Sequence, residues 1–177
     1  MKKLMIMLAT VAVAVAANAS TFTWGISGTD VLDTTKFASG TAYLFYTSAS
    51  TLSLPDTTGW DTKTSWTESD ITASGATKYG TGAVVNGAFF SAAETVTSLG
   101  GSTGTKRFYM AVISDDGKNV SIVTATKTAR IVAATTAASA SWTASQFATY
   151  SASVPEPTSG LLLVMGLAGL ALRRRKA

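Results

Sequence analysis

The chain has 177 residues, with no cysteine and no histidine. This excludes thiolate and imidazole metal sites, every Ser-His or Cys-His nucleophile and any disulfide staple, and nothing in the composition calls for a cofactor. The net charge of +4 hints at an acidic partner until the charges are placed. Lys2 and Lys3 open the chain and four cations crowd its last five residues, so Ser20 to Val154 carries eight Lys and Arg against nine Asp and Glu. Phosphate recognition draws on clustered cations, and no nucleic-acid partner is expected for such a body.

The first element is terminal. Lys2 and Lys3 precede an apolar run from Leu4 to about Ala17, and Ala17-Asn18-Ala19 supplies the small-x-small pattern of a cleavage site. Residues 1–19 read as a secretory signal helix cut after Ala19, in preference to a buried N-terminal helix. Residues 20–154 form one extracellular domain, long enough for a single core.

This body is rich in Thr, Ser, Ala and Gly, is broken by turn formers every ten residues or so, and keeps no long helical period. An all-β, antiparallel sandwich-like domain is the expected fold. Thr21 to Gly28 alternates Phe22, Trp24 and Ile26 against Thr21, Thr23 and Gly25, as a half-buried strand does. Thr41 to Ala49 is dense in β-favouring residues, with Gly40 as a break before it. Thr57 to Tyr79 is polar and loop-like. Gly82 to Phe90 reads as one strand, or as two short ones around Asn86-Gly87, a dipeptide that favours hairpin turns.

From Arg107 the pattern sharpens. Phe108, Met110 and Val112 share one face and Tyr109, Ala111 and Ile113 the other, which predicts a central strand apolar on both sides. Asp115-Asp116-Gly117-Lys118-Asn119 supplies a hairpin turn, and Val120 to Val132 the return strand. Ala133 to Tyr150 fits either a short helix, with Trp142, Gln146 and Tyr150 four apart, or a strand followed by a loop.

Chemistry is harder to find. Glu68 with Asp70, or Asp30 with Asp33, would make a carboxylate pair for glycoside hydrolysis only with a partner across a cleft. Solvated turn and capping roles are the plainer reading, and no catalytic residue is expected. Asp115 to Asn119 lacks the alternating ligands of a calcium loop, so no metal site is expected either. Asn119-Val120-Ser121 matches a glycosylation sequon, a pattern common by chance. Trp60 and Trp66, in the polar loop, are candidates for exposed platforms that stack sugar rings; Trp24 and Trp142 belong in the core.

The last segment carries the strongest signal. Val154-Pro155-Glu156-Pro157 leads into an apolar run, and Arg173, Arg174, Arg175 and Lys176 follow it. Gly160 to Leu172 makes about 20 Å of helix, short of the roughly 30 Å hydrocarbon core. The cations would stay cytoplasmic, placing the body outside, while the two prolines keep the triplet extended. A marginal membrane helix, an accessible handle and a cationic stop suit a temporary inner-membrane anchor better than a permanent span.

In these three parts, residues 155–177 resemble the PEP-CTERM sorting signal of Gram-negative bacteria. The resemblance implies recognition of Pro155, Glu156 and Pro157 by an exosortase, a membrane-embedded processing enzyme, followed by delivery of the body to the cell surface or extracellular matrix. It also implies association with exopolysaccharide or biofilm. A carbohydrate-binding module using Trp60 and Trp66 is the alternative for the body.

Overall fold

The computed structural model describes residues 21–27, 31–91, 94–95, 104–131 and 137–153. The two expected flanking helices fall outside these residues. Among the described residues no helix is long and apolar enough to cross a membrane, and the helical elements are 3-10 turns at Trp60–Thr62, Glu68–Ile71 and Ala144–Gln146. Everything else regular among the described residues is strand, mostly in antiparallel sheets.

The strands are β1 (Thr21–Ile26), β2 (Ser39–Thr47), β3 (Thr77–Val85), β4 (Glu94–Thr95), β5 (Gly104–Ser114), β6 (Asn119–Val123), β7 (Lys127–Ile131), β8 (Ala138–Trp142) and β9 (Phe147–Ser151). One sheet has the order β4-β1-β8, with β1 and β8 parallel and Phe22 opposite Ala138. The larger sheet has the order β3-β2-β5-β6-β9, with β7 also paired to β5.

Strand β1 follows its alternation: Phe22, Trp24 and Ile26 are buried. Gly25 is buried as well, because the backbone of Phe89 and Phe90 closes over it where a Cβ would stand. Gly40 is not a break before β2. It lies inside the strand, opposite Val84 and Ser114, where the Ile113 carbonyl leaves no room for a side chain.

The register of the large sheet sorts its side chains into two faces. Tyr43, Phe45, Tyr109, Ala111, Ile113, Val120, Ile122 and Tyr150 lie on one, and Ala42, Leu44, Phe108, Met110, Val112 and Val123 on the other. The second face meets the small sheet, where the Phe22 and Phe108 rings stack with centroids 4.9 Å apart. A register irregularity at Leu44/Phe45 leaves Tyr79 of β3 as an extra residue, and its ring meets Phe22 edge-on at 5.4 Å. Such bulges re-aim a side chain in this way.

The first face is covered by the segment 52–73. Tyr109 stacks on Phe45 at 4.9 Å, and its hydroxyl donates to the Ile71 carbonyl (2.9 Å) while accepting from the Ala73 amide (2.8 Å). Pro55, Trp60, Trp66, Ile71 and Ala73 are all buried beneath the polar exterior of this segment. The stretch with the polar, loop-like sequence is therefore a packed cover.

Two turns match expectation. Asn86 and Gly87 take φ of 50° and 72°, the primed geometry a two-residue hairpin requires, and Val85 and Ala88 exchange both backbone hydrogen bonds. At the β5–β6 turn Gly117 has φ 67°, and Asp116 Oδ1 accepts from the Lys118 amide (2.9 Å) and the Ser114 hydroxyl (2.6 Å).

The return strand, by contrast, is not continuous. Ala111 faces Ile122 in β6 whereas Phe108 faces Lys127 in β7, so two residues are extra between the two pairings. The Thr124 amide turns to the Gln146 carbonyl, and the Trp142 indole donates to the Ala125 carbonyl at 3.2 Å. The ambiguous segment before Tyr150 resolves into strand β8, a 3-10 turn and strand β9. A capping box of Thr143 and Gln146 holds that turn.

Candidate functional site

The arrangement with functional meaning lies at the C-terminal end of the described residues. Strand β9 runs beside β6 with Tyr150 opposite Val120. Beyond its end the Ala152 amide donates to the Lys118 carbonyl (2.7 Å) and the Ser153 amide to the Lys63 carbonyl (2.9 Å). The Ser153 hydroxyl donates to the Thr62 carbonyl at 3.0 Å. The chain is thus fastened up to Ser153, two positions before Pro155.

The partners of Ser153 are themselves braced. Gly59, at φ 76°, starts the 3-10 turn that carries Trp60 inward. The Trp60 ring meets Tyr150 edge-on at 5.1 Å and Trp66 at 6.3 Å, and the Trp66 amide donates to the Gly117 carbonyl of the β5–β6 turn (2.9 Å). Lys63 pairs with Asp70 at 2.5 Å, and Asp70 also accepts from the Thr67 amide at 2.9 Å in a capping box. Burial pushes the Asp70 carboxyl up, but the hydrogen bonds from Lys63 and Thr67 outweigh it and hold the group below its ordinary value. The result is an exit rim made of Thr62, Lys63 and Lys118 around a fixed point, Ser153, with exposed Asp61 next to Thr62 in the chain.

This geometry corrects the expectation for the two loop tryptophans. Trp60 is 4 % and Trp66 3 % exposed, buried in the core like Trp24 and Trp142. Polar neighbours in sequence suggest exposure, yet the large sheet draws both indoles down because its outer face needs cover. A shallow cleft of about 200 Å³ opens between Trp66–Glu68 and Ser114–Gly117, with Tyr43 on its wall. Trp66 borders it but is almost wholly buried.

The described candidate carboxylates each have partners of their own. Glu68 pairs with Lys78 at 2.8 Å. Asp33 accepts from the hydroxyl and amide of Thr35, which lower its pKa. Asp116 is likewise lowered, first by the Ser114 hydroxyl and then by the Lys118 amide. Asp30 lies outside the described residues. Among those residues no group of three His, Cys, Asp or Glu is placed to hold a metal ion. In the sequon, Ser121 is fully buried and shares a hydrogen bond with Thr149 (2.9 Å).

Ala17, Ala19, Pro155, Glu156, Pro157, Arg173, Arg174, Arg175 and Lys176 all lie outside the described residues. What the described part defines is an all-β body that hands its chain directly to a C-terminal segment. That segment has a family: residues 153–176 match the PEP-CTERM protein-sorting motif, so the chain carries a PEP-CTERM sorting signal. Such a signal implies an exosortase as processing partner and supports sorting to the cell surface. The match begins at Ser153, a residue that the body holds by backbone and side-chain hydrogen bonds. No curated protein and no solved structure matches this chain.

The sequence alone reveals the signal and conceals the rim. Ser153 and Thr62 are common residue types far apart in the chain, and only the tertiary fold joins them.

Proposed function

We propose that this chain is a non-enzymatic component of the bacterial surface or extracellular matrix, whose two-sheet body is packed as a β-sandwich. It is exported through its N-terminal signal and held briefly in the inner membrane by residues 160–172. An exosortase then cuts near Pro155-Glu156-Pro157 and delivers the body to its destination, where exopolysaccharide is the expected neighbour. The observation that carries this reading is the sorting motif at residues 153–176, joined to the body with no intervening linker.

Three features support a structural role over a glycan-binding one. The indoles of Trp60 and Trp66 are buried, so the stacking platform that a carbohydrate-binding module needs is missing from the place expected for it. The carboxylates Glu68, Asp70 and Asp33 serve as ion-pair and turn-capping groups. Without cysteine, the body relies on a core that spans both sheets and the cover segment.

The test replaces Pro155, Glu156 and Pro157 by alanine in the bacterium that produces the protein and follows chain mass and location. A longer species trapped in the inner membrane is expected. Normal processing and delivery of the triple-alanine chain contradicts the sorting role.

A further inference from the structure

The exit rim has a consequence for the processing enzyme. An extended chain covers at most about 3.6 Å per residue. Counted from Ser153, the chain can therefore reach at most about 7 Å at Pro155 and about 14 Å at Pro157. An enzyme that closes around the triplet must bring its own surface to the rim. Slack from β9 would come only by undoing its ladder with β6, the Ala152 and Ser153 hydrogen bonds and the Trp60–Tyr150 contact.

Resting on the sorting reading above, we propose that the rim formed by Thr62, Lys63 and Lys118, with Asp61 beside Thr62 in the chain, is a docking surface for the catalytic face of the exosortase. The rim is polar. Asp61, Thr62 and Lys118 are exposed, and Lys63 is held in place by Asp70. A complementary partner surface is polar too, with charges placed to meet an exposed carboxylate, Asp61, and an exposed ammonium, Lys118. Charged groups at the margin of an interface act mainly on encounter and orientation, so the rim sets the rate at which the signal is captured.

The experiment uses the full chain in its host, with Asp61→Arg and Lys118→Glu introduced separately. A second pair of chains carries the same changes plus a ten-residue Gly-Ser spacer, of roughly 17 Å root-mean-square span, between Ser153 and Val154. Pulse-labelling follows conversion to the shorter form. The proposal expects at least one charge reversal to slow conversion by about threefold or more, and the spacer to abolish that difference. A spacer that slows the unaltered chain also supports the contact, since the enzyme then loses a surface it uses.

Conversion at the unaltered rate in both reversal variants without the spacer overturns the proposal. So does slowing that is equal with and without it, which marks a defect of folding or export. Failure of the sorting reading itself shows separately, as normal conversion of the triple-alanine chain.

Discussion

Tyr109 shows how one side chain holds two layers together. Its ring packs on Phe45 within the large sheet, and its hydroxyl satisfies both Ile71 and Ala73 of the cover segment. Tyr109→Phe keeps the ring and leaves a buried amide and carbonyl without their partner, at a cost of about 1–3 kcal/mol. A denaturant titration reads this as a lower midpoint with an unchanged slope. Burial pushes the phenol up to about 12, against the lowering hydrogen bond from Ala73. The unfolded chain gives up this proton above about pH 10 while the folded chain keeps it. The contribution of Tyr109 is therefore intact below about pH 10 and declines as pH rises toward about 12. In Tyr109→Phe that part of the alkaline decline is absent. The sequence marks Tyr109 as apolar-facing by its alternation but gives no sign of its two hydroxyl partners, which lie 38 and 36 positions away.

Strand β5 is readable because a period of two with both faces apolar fits a central strand and little else. The break between β6 and β7 is not. Thr124 and Ala125 are as compatible with a strand as their neighbours, and what diverts them is the Gln146 carbonyl and the Trp142 indole from later in the chain. The same limit applies to Trp60 and Trp66: a cover segment without a repeat carries no periodic trace of the sheet it packs on. The Asn86-Gly87 turn, whose signal is local, is legible and gives a sharp test. Gly87 sits at φ 72° with the Leu32 backbone where a Cβ would be. Gly87→Ala is expected to destabilise the body by about 1–3 kcal/mol, seen as a lower thermal midpoint. A change of that kind at Gly75, also at positive φ but with open space around it, is expected to be milder.

The molecule as a whole joins two parts that encode their roles differently. The body's all-β character can be read from composition and alternation, but its cover segment and its exit rim depend on contacts distant in sequence. The sorting motif in the tail is legible, because a sorting signal acts as a local peptide and its parts stand next to one another. The two meet at Ser153, which belongs to the fold by its hydrogen bonds and to the signal by its position. Mass spectrometry of the chain recovered from outside the producing bacterium tests this account most directly. We expect a mature C-terminus near Pro155 to Pro157, with the apolar run and Arg173 to Lys176 removed; recovered chain that still ends in Arg173-Arg174-Arg175-Lys176-Ala177 would contradict it.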